Sequence, residues 1–272
     1  MFDQTILAQI SARSAAAVLH LYGLLRKGNE ALVPYAVRMM LQLAKTRSDR
    51  QGPLGLAEGS EQTFSRECKV AFAGVFDTVS SVGWFANPLS LPNTADNPDI
   101  AVARHAVAMD ERRAFFRQNL WRPTSPAGGP RDLKQVWFPG SHSDVGGGYP
   151  FPESGLSQFA LEWMLIEATA QGLLTDRARV MHVLGEGRET PYVRPDANQA
   201  LHESLTPGWW FAEFVPKKHF DQKTGRMGWR MNLFRRRTMP PASLVHESAY
   251  WRGLFYASQI PSDAVKEPRV RF

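Results

Sequence analysis

From Thr5 to Leu25 small and aliphatic residues recur at helical spacing, with Ile6, Ile10, Ala17, Leu21 and Leu24 on one side and Gly23 near the end. Recurrence at three and four residues predicts a helix that lays one face on a neighbour. A second helix is predicted from Asn29 to Ala44, where Leu32, Val33, Ala36, Met39, Met40 and Leu43 form the apolar face. Pro34 is tolerated there because it falls in the first turn. Lys45 to Gln62 holds Gly52, Pro53, Gly55 and Gly59 among charges and reads as a surface loop. The period then changes. Lys69 to Val79 is a nearly continuous run of β-branched and aromatic residues that ends in Asp-Thr, the mark of a strand buried on both faces, as in a parallel sheet.

After a loop through Pro88, Pro92 and Pro98, the recurrence of Ala103, Ala106, Val107, Asp110 and Ala114 predicts a helix over 99–116. A Pro/Gly-rich break covers Pro123 to Pro130, and a second short strand, Gln135 to Phe138, runs into PGSHSDVGGGYP. Gly155 to Gly172 is the clearest helix, with Gly172 placed as its C-cap, and a shorter helix covers Thr175 to Leu184. Beyond Gly185 the pattern is irregular, and WWFAEFVP and WRMNLF read as short strands or aromatic packing segments. These elements imply a partial α/β fold over residues 1–184, with two core strands flanked by helices. Residues 185–272 form an aromatic and basic C-terminal extension, expected to pack on the same domain.

Composition narrows the classes. With 43% hydrophobic and 21% charged residues the chain has the makings of a substantial core, which excludes a disordered, collagenous or coiled-coil protein. Its single cysteine, Cys68, excludes an internal disulfide framework and any multi-cysteine metal site, and favours a reducing compartment. Cys68 itself is expected to pack as a small hydrophobe. The run from Ser14 to Leu25 is interrupted by His20 and is too short to span a bilayer, and no cleavable signal peptide is legible. The net charge of +6 is scattered except in the C-terminal third. There Lys217, Lys218, Arg226, Arg230, Arg235, Arg236, Arg237, Arg269 and Arg271 are interleaved with Trp209, Trp210, Phe211, Phe214, Trp229, Phe234, Trp251 and Phe255. The tryptophans are expected to be mostly buried and Arg235, Arg236 and Arg237 to stay exposed, which makes an anionic membrane surface a candidate partner. Nucleic acid is not expected.

The candidate chemistry lies where strands end. VFDTVSSVG presents Asp77, and VWFPGSHSDVGGGY presents His142 and Asp144, followed by Gly146, Gly147 and Gly148. Open α/β sheets place their reactive groups just past the carboxyl ends of parallel strands. An acid after one strand and a histidine after a later one is also the order of the second and third members of a Ser-Asp-His triad. The alternative is a buried turn in which Asp144 caps its own backbone. A metal held by Asp77, His142 and Asp144 is a further alternative, but no dedicated ligand spacing such as H-E-x-x-H is present, so neither metal nor cofactor is expected. The sequence holds no G-x-S-x-G. His20, His202 and His246 read as hydrogen-bonded structural histidines.

Four segments in one order, FSRECKVAFAGVFDTVSSVG, ARHAVAMDERRAFFRQNLW, KQVWFPGSHSDVGGGYP and LSQFALEWMLIEA, resemble a widespread family of α/β-hydrolase domains that includes the catalytic domain of type VI secretion phospholipase effectors and fungal relatives. The resemblance implies hydrolysis of a lipid or other acyl ester without a cofactor, with Asp77 as triad acid and His142 as base. Asp144 and Gly146 to Gly148 would shape the loop. It also implies a cytoplasmic protein, or an effector secreted without a cleavable signal peptide. In that family a GFSRGA-type elbow precedes the first helix, and the equivalent position here, near Ile6, reads QTILAQ. The expectation is therefore a chain that begins after the elbow or has lost the nucleophile, with no stand-alone activity. Ser11 is the nearest serine. An upstream hydrolase segment or partner chain would supply the rest. The rival is a noncatalytic fragment or binding module. His105, Asp110, Glu111, Arg112 and Arg113 also match the family, and from spacing alone they read as a polar helix face with charge pairs.

Overall fold

The computed structural model describes residues 4–45, 64–78, 96–114, 116, 118–121, 128–187, 189–221 and 226–272. The loops expected over 46–62 and around Pro88 and Pro92 lie outside the described residues. Helix α1 (Gln4–Tyr22) stops at Gly23, whose φ of 65° and approach to Arg66 leave no room for a side chain: a Cβ would sit 2.5 Å from the Arg66 carbonyl oxygen. A small antiparallel ladder follows between β1 (Leu24–Leu25) and β2 (Ser65–Arg66), with α2 (Val33–Lys45) between them in sequence.

The core is a five-stranded parallel sheet in the order β3 (Val70–Phe76), β4 (Ile100–Ala108), β5 (Asp132–Phe138), β8 (Leu244–His246) and β9 (Val265–Glu267). β3 and β5 lie where their apolar runs predict. β4 overturns an expectation, since IAVARHAVA and the residues after it read as a helix. The strand is covered on both faces, so all but one of its residues are buried and the alternation that identifies a half-buried strand is absent. Alanine recurrence then imitates a helical period, and six neighbouring pairings to β3 and seven to β5 override the local preference. The two C-terminal strands also go beyond the two strands expected. Each is three residues long, too short to carry a periodic signal.

Two layers of helix cover the sheet. On one face Ala16 of α1 packs on Ala73, Val75, Ile100, Ala103 and Trp121. Farther along that side Val107 and Trp137 meet Val245, Ala249 and Tyr256 from the C-terminal region. On the other face Phe159, Ala160, Trp163 and Met164 of a long helix, Gly155–Ala170, close over Ala106, Ala108, Val136 and Phe138. In chain order the later helices are α3 (His142–Gly146), α4 (Gly155–Ala170), α5 (Arg177–Val183, capped by Asp176), α6 (Pro207–Glu213) and α7 (Leu254–Ala257). WWFAEFVP is thus largely helical rather than a strand, with Pro207 in its first turn. Part of WRMNLF forms β7 (Arg226–Arg230), paired with β6 (Lys217–Asp221).

The aromatic expectation fails in part. Trp210 is 51% exposed, Phe211 79% and Trp229 70%, and Trp251 is exposed as well. Among the described residues the sheet is covered by α1, α4 and the residues around Tyr256, and these side chains lie outside that packing. Among the described residues no helix is long and apolar enough to cross a membrane.

Phe138 tests this layering. It is fully buried, 5.7 Å from the Trp163 ring and stacked on His246 at 4.6 Å. Phe138→Ala is expected to remove about 3–5 kcal/mol of stability, seen as a lower urea midpoint with an unchanged slope.

Candidate active site

β3 ends at Phe76, and the next residue, Asp77, has φ of 42°, a conformation few side chains other than Asp and Asn adopt. The neighbouring strand enforces it. Asp77 N donates to the Ala106 carbonyl at 2.6 Å, and Asp77 Oδ1 accepts from Ala108 N at 2.8 Å. One residue on, Thr78 N donates to His105 Nε2 at 3.1 Å. His105 is wholly buried on β4, and burial, followed by the charge of Arg13, pushes its pKa down to about 3. The ring is therefore neutral: Nε2 accepts, and the hydrogen sits on Nδ1, 3.4 Å from Gln135 Oε1. Gln135 is oriented in turn by Trp121 N and O.

His142 arrives from β5 through a tight turn. Gly140, with φ of 119°, lies so close to Asp144 that a Cβ would sit 2.4 Å from the Asp144 Cβ. Ser141 caps α3, and Asp144 Oδ2 accepts from both Ser141 N and Ser141 Oγ at 2.9 Å. The other oxygen of Asp144 meets His202 Nδ1 at 2.6 Å. Both oxygens thus bond within and across the loop, and Gly147 and Gly148 turn the chain away with φ of 79° and 130°.

These turns bring Asp77 and His142 together. His142 Nδ1 lies 2.7 Å from Asp77 Oδ2, and both side chains are fully buried. His142 Nε2 is buried and makes no hydrogen bond to any described residue. The Phe116 ring meets the imidazole edge-on at 5.1 Å and is itself packed against Trp209 and under the Arg113 guanidinium. His142 N donates to Glu111 Oε2 at 3.2 Å, and Glu111 pairs with Arg113 at 2.8 Å. Burial alone would raise the Glu111 carboxyl, but Arg113 outweighs it and the group is held below its ordinary value.

Arg237 corrects the sequence reading most sharply. Expected in solvent, its side chain is only 4% exposed and grips Asp77 through both Nη atoms, with Nη2 3.0 Å from Oδ2. It also donates to the carbonyls of Phe116 and Ala108. Burial would push the Asp77 carboxyl up, but Arg237 first and His142 next hold it well below the usual carboxylate range. Nothing in a run of three arginines marks the third for the interior. Glu111, Arg113 and His105 do stand in a segment that matches the family, but the helix expected there hid their arrangement. The backbone at Ser11 lies inside α1, not on a strand-to-helix turn that would present a nucleophile. Among the described residues no group of three or more His, Cys, Asp or Glu side chains could hold a metal.

The fold and the pair define an α/β protein with a buried acid and histidine at the carboxyl end of a parallel sheet. A family model of the type VI secretion system phospholipase effector Tle1-like catalytic domain matches residues 10–167, and the chain belongs to that family. The uncharacterized protein YEL023C of Saccharomyces cerevisiae is 36% identical over 116 residues, which cover 41% of this chain and 17% of the yeast protein. A solved structure of the Tle1 effector bound to the VgrG spike of the type 6 secretion system is 23% identical and covers 51% of this chain and 24% of that one. The TM-score of that match is 0.22. The chain thus spans about a sixth of the yeast relative and about a quarter of the effector.

The buried histidines fix the sign of a pH dependence. Burial, then Arg269, pushes His246 down to about 3, as burial and Arg13 do for His105. In the unfolded chain both rings take a proton below about 6.5, while in the folded protein they stay neutral to about 3. The unfolded state binds more protons in that window, so stability is complete above it and falls as pH drops from 6.5 toward 3. The depressed Asp77 adds a loss in the same direction below about pH 3.9. Urea midpoints measured between about pH 7 and pH 4.5 should decline, each histidine contributing at most about 1.4 kcal/mol per pH unit. His105→Asn should flatten part of that slope, and a level midpoint in the unmodified protein would contradict the buried neutral rings.

Proposed function

We propose that this chain carries the acid and base of an α/β-hydrolase-type site that cleaves acyl esters of lipids. The observation that supports it most is the buried 2.7 Å contact between His142 Nδ1 and Asp77, with His142 Nε2 left unbonded by any described residue. In this reading Nε2 takes the proton of an attacking hydroxyl and later returns it to the leaving group. Asp77 holds the imidazole in the required tautomer and stabilises the imidazolium. The nucleophile and oxyanion hole come from an adjoining upstream segment or a partner chain, so the isolated chain is inactive. Membership of a phospholipase effector family supports a lipid substrate and release as an effector.

A fluorophosphonate probe tests this. The 272-residue chain is expected to remain unlabelled. A longer protein, or a complex that adds a strand-turn-helix serine, is expected to be labelled stoichiometrically, and His142→Ala should slow that labelling by at least about a thousandfold. Labelling of a serine within the isolated chain would refute the external nucleophile. Unchanged labelling of His142→Ala in the complete protein would refute the role of the pair.

Exposed aromatics next to this site support contact with a lipid surface. Trp209 packs on Phe116 beside His142, while Trp210 and Phe211 of its helix and Phe214 just after it are exposed to solvent. Arg230, Arg235 and Arg236 are exposed nearby in the chain. Because the apolar share is larger than expected and Arg237 is not available, binding should be only partly electrostatic. Vesicles with anionic headgroups should pellet more protein than neutral ones, and raising salt should reduce the difference without abolishing binding. Phe211→Ser should weaken binding by about tenfold or more. Absence of pelleting with both vesicle types would refute the lipid contact.

A further inference from the structure

We infer that Arg237 is a positioning residue of the proposed acid–base pair: by bonding both oxygens of Asp77 in the interior, it keeps the carboxylate charged and so keeps the proton of His142 on Nδ1, leaving Nε2 bare. The inference rests on the reading of Asp77 and His142 given above and adds to it a residue that lies beyond the family-matched segment 10–167.

The four acceptor directions of the Asp77 carboxylate are all used. Oδ1 takes Ala108 N and Arg237 Nη1, and Oδ2 takes His142 Nδ1 and Arg237 Nη2. An ionised carboxylate only accepts, so the short contact to His142 Nδ1 requires the imidazole to donate there. The second ring nitrogen of an uncharged histidine is then a free acceptor, the form a general base needs.

Charge balance decides which form persists. Among the described residues the charged and titratable groups around the pair include Arg237 from the C-terminal segment, Glu111 and Arg113 from the loop after β4, His105 on β4, Arg13 on α1, and Asp144 with its partner His202 in the turn of His142. Glu111 and Arg113 pair with each other, His105 is neutral, and Arg13 lies on the Nδ1 side of the His105 ring, over Trp121, whereas Arg237 bonds Asp77 directly. Arg237 is therefore the direct counter-charge to Asp77 while His142 is uncharged. Without it the buried carboxylate would lose its directly bonded counter-charge, an arrangement proteins avoid by binding a proton. That proton has two destinations. On the imidazole it makes both nitrogens N–H. On the carboxyl it turns Asp77 into a donor to Nδ1 and moves the ring hydrogen to Nε2. Both remove the free lone pair.

Nitrogen-15 NMR of the histidine-labelled 272-residue chain at about pH 7 reads this directly. In the unmodified protein His142 should show a protonated Nδ1 and a bare Nε2. Arg237→Gln should shift Nε2 to the protonated position, and Arg237→Lys, which keeps the charge, should retain the original signature. A bare Nε2 in folded Arg237→Gln would overturn the inference. So would a protonated Nε2 in the unmodified protein, a measurement that stands even if the glutamine variant does not fold. Because the readout involves no ester and no nucleophile, it is independent of the fluorophosphonate experiment. A correct tautomer in a protein that never labels, even when completed, would retain Arg237 as the residue that positions Asp77 and discard only the hydrolase reading.

Discussion

A carboxylate with no access to water has to find every hydrogen bond it needs within the protein, and Asp77 imposes that requirement on the whole carboxyl end of the sheet. Its partners come from three places besides the end of β3 on which it sits: the end of β4, the turn after β5, and the segment that precedes β8. None of these could shift by an ångström without leaving a buried charge short of a partner. The positive φ at Asp77 is tolerated for the same reason, because the backbone bond to Ala106 and the side-chain bonds over-determine one conformation.

Around that carboxylate the polar interior is organised as paired sets rather than as single buried groups. Glu111 satisfies Arg113, the backbone of the loop after β4 and the amide of His142. Glu213, also buried, accepts from Ala114 N, Asn232 Nδ2 and Phe234 N, and so ties α6 to the same loop. On the far side of the sheet Arg104 joins Asp132 and Glu167, linking β4 to β5 and α4. The helix that carries Trp210 and Phe211 is therefore anchored through a buried carboxylate to the loop whose Glu111 holds the amide of His142.

What the sequence discloses depends on how local the determining force is. β3 and β5 are set by local apolar runs and α4 by its helical period, and Asp77 and His142 stand just beyond the two apolar runs. β4 hides its nature because burial on both faces erases the alternation, and its two polar residues, Arg104 and His105, point to opposite faces where each finds a partner. The strands at Leu244 and Val265 are defined by the neighbours they join. Arg237 differs from Arg235 and Arg236 only in where the chain carries it. The exposed Trp210 and Trp229 lie outside the packing that covers the sheet, which composition does not show.

Asp77 and Arg237 are 160 residues apart along the chain, and that interval has a consequence for how the protein is made. At a synthesis rate of roughly 5–20 residues per second, the acid waits on the order of ten seconds or more for its arginine. Through that interval β3 and β4 can pair, but the end of the sheet cannot close, because β8 has not yet emerged to join β5. Parallel pairing between distant segments is in any case slow. The nascent chain therefore passes through a stage with the Asp77 cluster unassembled and one edge of β5 open, a stage exposed to mispairing with other chains.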